Sequence, residues 1–292
     1  MKTFLKKFRP FLVVGVLLVT LASFVYFFVS HPEIKHQLGH TPLTLLALLL
    51  GLYFVAVLVL GLILIATLVL CRVELRLRES TLLTMYSSII NFFGPLQSGP
   101  AFRAVYLKQR HGLKLKDYTL ASLVYYALYG GFSLILLFSH WLEWWLVLIG
   151  LLGGVVVVWC LRSRQPYALK LQTLNLRGLG LLIAATLAQV LLTCVIYYTE
   201  LHSVSPGISV WQAVVYTGAA NLALFVSITP GAIGFRESFL VFSQHLHHVT
   251  STIIVAANVI DRSVYIVLLL ILLGGIVATH GQAKLRLAKD NH

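Results

Sequence analysis

The most informative absence in this sequence is charge, because Asp, Glu, Lys and Arg together make up only 11% of its residues. A soluble domain carries about 25% charged residues. Hydrophobic residues account for 59% of the chain, and the mean hydropathy is +0.91. This composition excludes an ordinary soluble domain. It predicts an all-α polytopic membrane protein in which residues 1–292 form one integral membrane domain.

Acidic residues are scarcer still, with 9 Asp and Glu against 22 Lys and Arg and a formal net charge of +13. In a soluble protein such an excess of positive charge would suggest a nucleic-acid partner. In a membrane protein it is the ordinary consequence of basic cytoplasmic loops. We therefore expect no nucleic acid among the partners.

The sequence also lacks the patterns of common active sites. It has no G-x-S-x-G, no Walker A sequence, no H-E-x-x-H and no protein-kinase set. The three cysteines show no metal-ligand spacing and lie in or beside apolar runs, where they act as small hydrophobic residues: Cys71, Cys160 and Cys194. We therefore expect no enzyme, no catalytic residue, no metal site and no cofactor.

A histidine-rich stretch, His245, His247 and His248, is the one pattern that suggests a metal. It has no cysteine or carboxylate nearby, although zinc sites usually combine several such ligands. We interpret this stretch as the solvated outer end of a helix.

Long apolar runs predict about six full transmembrane helices. In chain order they cover residues 11–29, 43–70, 118–138, 146–161, 179–198 and 252–278. The segments assigned to the inner face hold 19 of the 22 Lys and Arg residues. This bias orients membrane proteins with short loops, so both termini are expected on the cytoplasmic side of the membrane.

Two further apolar segments are interrupted. Residues 81–100 contain two Gly and two Pro residues and have basic flanks on both sides, which predicts a segment that enters from the cytoplasmic face and returns to it. Residues 211–248 break at Pro230-Gly231 and must enter and leave from the outer face if the last span is to end inside. Broken backbone is tolerated in lipid only where protein buries it or where it lines a wet cavity.

The two interrupted segments resemble each other. Pro95 to Gly99 and Pro230 to Gly234 share a Pro-x-x-x-Gly spacing, and an arginine follows each of them. The spacing alone is a short pattern, and the opposite sides of entry are what favour an inverted repeat. Two oppositely entering re-entrant hairpins of this kind surround the substrate site in several transporter folds.

The candidate substrate-binding residues are charged residues in or near these breaks and in the last span, together with Asn258 and with Pro230, Gly231 and Gly234 of the second break. Arg236 and Glu237 open the helix that follows Gly234, where a helix amino end and a guanidinium both favour a phosphate. Arg103 follows the first break and is the corresponding candidate there. The alternative is that Arg236 and Glu237 are structural and pair with other buried charges.

Asp261 and Arg262 lie near the middle of the last span, where each needs a partner. Because adjacent helix residues point about 100° apart, they pair poorly with each other. We predict a four-member network with Arg236 and Glu237. Asn258 shares a helix face with Arg262. The network either only holds helices together or leaves one arginine with donors for a lipid phosphate.

At Pro230-Gly-Ala-Ile-Gly-Phe-Arg-Glu237, followed by Asn258, Asp261 and Arg262, the sequence resembles the lysylphosphatidylglycerol synthase transmembrane region family, also called flippase-like or YbhN-type. The stretch from Asn91 to Arg103 is similar to that family's first motif. The resemblance covers nearly the whole chain. It implies an inner-membrane protein that moves lipids or lipid-linked sugars between leaflets.

Larger members of that family carry a soluble aminoacyl-transferase domain, which residues 1–292 lack. In the first motif this chain has Gly99-Pro100 where the family often has Gly-Glu, so no role of that Glu is carried over.

Three functions follow from these observations. The first is a flippase that passes an anionic or lipid-phosphate head group through a polar cavity between the two hairpins. The second is a membrane-embedded transferase that acts on a lipid-linked substrate. The third is a non-transporting subunit of a lipid-modifying system, with a separate enzyme as partner. The sequence leaves the lipid, the direction, the energy source and the oligomeric state open.

Overall fold

A computed structural model of the chain describes residues 42–93, 98–139, 175–225 and 235–289. Every regular element among these residues is an α-helix. The helices are α1 (Leu43–Leu70), α2 (Leu77–Phe93), α3 (Ser98–His111), α4 (Leu115–Leu137), α5 (Leu176–Val204), α6 (Val210–Phe225), α7 (Phe235–Phe242), α8 (Gln244–His247) and α9 (Ser251–Lys289). The all-helical prediction is thus confirmed, and the predicted spans 11–29 and 146–161 lie outside the described residues.

Four of these helices are long and apolar enough to cross a membrane, namely α1, α4, α5 and the part of α9 from Ser251 to Ile276. The chain is therefore a multi-pass membrane protein. Helix α1 has the predicted bounds, whereas α4 and α5 each begin three residues earlier than predicted.

The predicted end of the span 179–198 is wrong. Helix α5 continues to Val204, so Glu200, which follows the predicted span, lies inside the helix. A polar side chain does not interrupt helical hydrogen bonding. Helices usually end before a proline, and Pro206 with Gly207 stands just beyond this one.

Helix α1 ends in a tight left-handed turn. Arg72 has a φ of 57°, its N–H donates to the Val69 carbonyl at 3.1 Å, and the Val73 N–H donates to the Leu68 carbonyl at 2.9 Å. This is the Schellman arrangement, in which glycine is the usual residue at the left-handed position. The turn releases the chain into the exposed basic loop before α2.

Helices α2 and α3 form an antiparallel pair, here called the first helix pair. Near residues 94–97 the Ser98 hydroxyl donates to the Ile90 carbonyl at 3.0 Å. A Cβ on Gly99 would lie only 2.5 Å from the Ser87 carbonyl oxygen, so this close approach requires glycine. Gly99 and Pro100 belong to the first turn of α3 and not to the break, because proline is tolerated in the first turn of a helix.

The other end of the first helix pair is held by polar contacts. The Tyr106 hydroxyl donates to Glu79 Oε1 at 2.6 Å, and the His111 ring lies 2.8 Å from the same oxygen. The hydrogen bond from Tyr106, followed by that from His111, lowers the pKa of Glu79. These contacts fix the base of the pair. Its tip, where α2 ends and α3 begins, lies some two turns or more away.

Helix α6 forms a second antiparallel pair with α7 and α8, here called the second helix pair. The Gln212 side-chain amide donates to the His248 carbonyl at 3.2 Å, and the ring centroids of Tyr216 and His247 are 5.4 Å apart. These contacts mark the base of the pair. Its tip is where α6 ends at Phe225 and α7 begins at Phe235.

The tip of the second pair reaches the middle of α4, and its base lies towards the carboxyl end of α4. A Cβ on Gly218 would lie 2.7 Å from the Ser133 carbonyl oxygen and even closer to the Leu137 backbone, so the two helices touch there. Further along, the Phe225 ring packs 5.6 Å from the ring of Tyr129. Helices α4 and α6 are therefore antiparallel.

The base of the first pair lies at the opposite end of α4. Tyr118, in the first turn of α4, packs in one apolar cluster with Leu83 of α2 and Leu107 of α3. The two helix pairs thus extend from opposite ends of the bundle, and their tips point towards each other. A larger apolar core joins α2 and α6 of the two helix pairs to α1, α5 and α9.

Candidate functional site

A buried ion pair joins the second helix pair to the last span. Arg236, in the first turn of α7, places its Nη1 2.5 Å from Oδ2 of Asp261 in α9. Arg236 is only 3% exposed, and its guanidinium carbon lies 5.0 Å from the centre of the Tyr197 ring. A guanidinium can be buried here because a carboxylate and an aromatic face replace its water.

The other two residues of the predicted network are close by. Nη2 of Arg262 lies 3.5 Å from Oε1 of Glu237, and its Nε lies 3.9 Å from Oδ2 of Asp261. The structure thus brings all four predicted residues together. The contact between the adjacent Asp261 and Arg262 is the longest of the three, as helical geometry implies.

Two further residues belong to the same cluster. The Tyr53 hydroxyl of α1 contacts Oδ1 of Asp261 and also lies at hydrogen-bond distance, 3.0 Å, from Oε1 of Glu200. Glu200 is 2% exposed. These two join the four ion-paired residues in what we call the buried charge cluster: Tyr53, Glu200, Arg236, Glu237, Asp261 and Arg262.

Sequence reasoning missed Glu200 and Tyr53. Glu200 therefore adds a third carboxyl group to Glu237 and Asp261, the two that the sequence predicted for this network. A useful indication was present, because no helix-breaking residue separates Glu200 from the apolar run before it. For Tyr53 the sequence contains little indication of this contact, because a tyrosine in an apolar span usually belongs to the hydrophobic core.

Some donors of the cluster are unused. Within the described part of the chain, Nε and Nη2 of Arg236 and Nε of Arg262 are buried and have no hydrogen-bond partner. Pro230, Gly231 and Gly234 precede Arg236 but lie outside the described residues.

Asn258 lies one helical turn before Arg262, as expected, but it faces α6. Its side-chain amide donates to the Ile254 carbonyl at 2.9 Å and approaches the Tyr216 hydroxyl at 3.4 Å. Asn258 thus links α9 to the second helix pair.

A polar cavity of about 230 Å³ lies between the tips of the two helix pairs. Asn91 and Pro100 reach it from the first pair, and Leu224 and Phe225 from the second. Hydroxyl and amide side chains make up much of the remaining wall: Thr67, Ser87, Ser88, Tyr118, Ser122, Tyr125, Tyr126, Tyr129, Gln189 and Tyr265.

Arg103 is the one charged side chain among the described residues that line this cavity. Its Nε is buried and finds no hydrogen-bond partner in the described ranges. The described wall contains no carboxylate, so the charge of Arg103 is not balanced there. Tyr118, Tyr125 and Tyr126 are near enough to interact with it electrostatically. Chemically, the cavity offers a cation and several hydroxyl groups to an anion.

Residues 12–274 match the model of the family described as the lysylphosphatidylglycerol synthase TM region. The chain belongs to this family. No match was found among curated proteins or among solved structures. The matched range contains both helix pairs, the buried charge cluster and the cavity.

In this member of the lysylphosphatidylglycerol synthase TM region family, the candidate residues divide into two places. One place holds residues that form ion pairs with one another, namely Arg236, Glu237, Asp261 and Arg262. The other is the cavity, which Arg103 lines.

The histidine stretch of this family member is partly buried. His245 and His248 are exposed, but His247 is buried, so the prediction of a solvated helix end is wrong for that residue. The ring of His247 donates from Nε2 to the Leu240 carbonyl at 3.0 Å and accepts from the Val249 N–H at 3.1 Å. Both nitrogens are used in closing the base of the second helix pair. In the described ranges, no three His, Cys, Asp or Glu residues form a group that could hold a metal.

Proposed function

We propose that the chain is a lipid flippase that moves an anionic head group between the leaflets of a bacterial inner membrane. The observation that carries this proposal is Arg103, a cation that no described carboxylate of the wall balances, in a polar cavity between the tips of two opposed helix pairs. A charge in such a place is costly unless it has a function or a partner. The proposed ligand is the phosphate of a membrane lipid or of a lipid-linked saccharide.

In this proposal the two helix pairs are re-entrant hairpins that enter from opposite faces, among six full spans. The opposite positions of their bases along α4 support that arrangement. The head group passes through the cavity while the acyl chains remain in the bilayer. Both termini lie in the cytoplasm, in keeping with the distribution of Lys and Arg.

The chemistry of the cavity wall suits a phosphate. A guanidinium presents parallel N–H donors that match two phosphate oxygens, and the hydroxyl groups around it supply further hydrogen bonds. These donors replace part of the water that a head group loses when it leaves the surface. Tyr125, Gln189 and Asn91 would also accommodate the hydroxyl groups of a saccharide.

Transport is favoured over group transfer by what the described wall contains. A transferase usually needs a general base near the reacting atoms to activate the attacking group. The described lining residues include no His, Cys, Asp or Glu. The arginines of the buried charge cluster are ion-paired with its carboxylates, and we assign the cluster the task of holding α7 against α9. The proposal therefore includes no enzymatic activity.

The test is translocation of fluorescent lipids by the purified chain in vesicles, with anionic, zwitterionic and cationic head groups compared. Anionic lipids should move fastest. Arg103→Gln should slow them by about tenfold to a hundredfold, which corresponds to a charged hydrogen bond of roughly 1.5–3 kcal/mol. Arg76→Gln, in the exposed loop after α1, is the matched control and should have no effect.

Each alternative has its own outcome in that experiment. Failure to move any head group contradicts a flippase. Chemical conversion of the lipid identifies a transferase instead. Translocation that appears only when a lipid-modifying enzyme is added identifies a subunit.

A further inference from the structure

Glu200 is a buried carboxyl group that forms no ion pair with any described cation. In the described ranges, no Lys, Arg or His nitrogen lies within ion-pair distance of it, and its hydrogen-bond partner is the Tyr53 hydroxyl, 3.0 Å from Oε1. A carboxylate removed from water is normally paired or supplied with several donors. Glu200 therefore needs an explanation that the ion pairs of the cluster do not give.

The hydrogen bonds around Tyr53 need one more proton than the phenol supplies. The hydroxyl has a single proton, but carboxyl oxygens of both Glu200 and Asp261 are in contact with it. If both carboxyl groups were ionised, one of them would face a lone pair of the phenol oxygen. A proton on Glu200 removes that conflict, since Glu200 then donates to Tyr53 and Tyr53 donates to Asp261.

The net charge of the cluster also indicates one additional proton. Two guanidinium groups, Arg236 and Arg262, stand against three carboxyl groups, so a single proton makes the cluster neutral. Asp261 is held by both arginines, and Glu237 is paired with Arg262 and is 26% exposed at its side chain. Glu200 is the remaining carboxyl group, so the proton belongs there.

The groups that face Glu200 come from several helices. They are Tyr53 of α1, Tyr197 of α5 itself, Tyr216 of α6, Arg236 of α7, and Asp261 and Arg262 of α9. Helix α4 also packs on α5, but there Tyr129 interacts with Tyr197. None of these neighbours offers Glu200 a direct ion pair.

We propose that Glu200 is a proton-binding site and that the proton is the coupling ion for lipid movement, which rests on the flippase function proposed above. Hydronium transfers a proton to a carboxylate oxygen of Glu200, which forms the O–H bond and leaves water; release to water reverses the step. Release leaves an uncompensated negative charge beside Asp261. Arg236 is then attracted by both carboxylates. This attraction changes the favoured position of α7 and, through it, that of the second helix pair, whose tip lines the cavity.

The proton itself is tested without transport, by infrared spectroscopy of the purified full chain in lipid at pH 7. The carbonyl stretch of a protonated carboxylic acid should be present in the parent protein and in Glu74→Gln, and lost in Glu200→Gln. Glu74 is an exposed carboxylate in the loop after α1 and serves as the matched control. Absence of the band from the parent, or its persistence in Glu200→Gln, overturns the proposal.

A second variant keeps that test decisive if Glu200→Gln does not fold. Tyr53→Phe leaves the carboxyl group in place but removes its hydrogen-bond partner. The acid band should therefore remain and shift to higher frequency. An unshifted band would show that the protonated group is not the one that contacts Tyr53, which contradicts the assignment to Glu200.

Coupling is tested in vesicles with a pH difference of one unit across the membrane. One proton moved with each lipid should shift the steady-state ratio of lipid between leaflets by about tenfold in the parent. Glu200→Gln should exchange lipid without this accumulation, and Glu74→Gln should behave as the parent. Lipid translocation that does not respond to the pH gradient would contradict the coupling. If the parent moves no lipid at all, the flippase function fails, coupling fails with it, and the infrared result still decides the proton site.

Discussion

Among single residues, Asp261 connects more of the described helices than its position in an apolar span would suggest. One of its carboxylate oxygens binds Arg236 of α7, and the other contacts Tyr53 of α1. Asp261 itself belongs to α9. Loss of its charge therefore acts on three helices at once, and it leaves a buried guanidinium without compensation.

We expect Asp261→Asn to destabilise the folded protein by about 3–5 kcal/mol, which is the usual cost of a buried ion that has lost its partner. Thermal melts in detergent measure this. The double variant Asp261→Asn, Arg236→Gln should recover part of the loss, because no charge then remains unpaired. Glu79→Gln, which breaks the more exposed contact with His111, should cost no more than about 1 kcal/mol. An Asp261→Asn protein as stable as the parent would contradict a buried cluster.

His247 predicts a dependence of stability on pH. Burial lowers its pKa to about 4, and in the neutral form both ring nitrogens are hydrogen bonded. The unfolded chain binds this proton near pH 6.5, so stability should fall as the pH drops from about 6.5 towards 4. Between pH 7 and 5 the loss from this residue should be about 2 kcal/mol.

Variants at neighbouring positions separate that effect from other titrations. His247→Gln should lose the corresponding part of the pH dependence in detergent melts. His245→Gln, at an exposed ring nearby, should retain the full dependence of the parent. Equal pH profiles for both variants would show that His247 is not the titrating group.

At the residue scale, the sequence predicted the pairings that follow from the free-energy cost of an unpaired charge in an apolar span. A charge within an apolar span must find a partner, so Arg236, Glu237, Asp261 and Arg262 could be placed together in advance. Glu200 could not be placed with them, since a carboxylate near the end of an apolar run is equally compatible with a solvated loop.

Among the helices, the contact between α4 and α6 is the tightest constraint on the second helix pair. Gly218 lets the two backbones approach closely, as small residues do between membrane helices. We expect Gly218→Ala to destabilise the protein by about 1–3 kcal/mol, because the added methyl group would overlap α4 backbone atoms. The matched change Gly51→Ala adds a methyl group where no atom lies within 4 Å, and it should not lower the melting temperature. Equal effects of the two changes would contradict the close approach.

The bounds of the helices were predictable where a proline or a charged residue directly flanks an apolar run. Pro42 and Arg72 bracket α1, and its predicted and observed ends agree. The end of α5 was predicted too early, because the polar residue Glu200 ends the apolar run but does not break the helix. Pro100 was predicted to be part of a break, but its missing N–H is harmless in the first turn of α3.

At the scale of the whole molecule, the bundle has two distinct ends. Lys114 lies at the end that holds the base of the first helix pair, whereas Ser203 lies at the end of α5 on the other side. Composition predicted a polytopic helical protein, and the structure confirms it. The placement of the cavity could not be predicted, because it depends on how the two tips meet and not on either segment alone.

Single-cysteine labelling tests the proposed orientation, after the three native cysteines have been replaced. Lys114→Cys should react only with a reagent applied from the cytoplasmic side, because basic loops stay inside. Ser203→Cys should react only from the outer side. Both residues are exposed, so poor access is not a reason for failure. Reaction of both from one side would contradict the topology.

The central claim is that a lipid head group passes through the cavity between the two helix tips. Ser122 lines that cavity from α4, and in the cysteine-free background Ser122→Cys gives a site for a bulky thiol reagent. Modification there should abolish translocation of anionic lipid in vesicles, and the same reagent on Glu74→Cys, in the exposed loop, should leave it unchanged. Full translocation after complete modification at residue 122 would contradict the account.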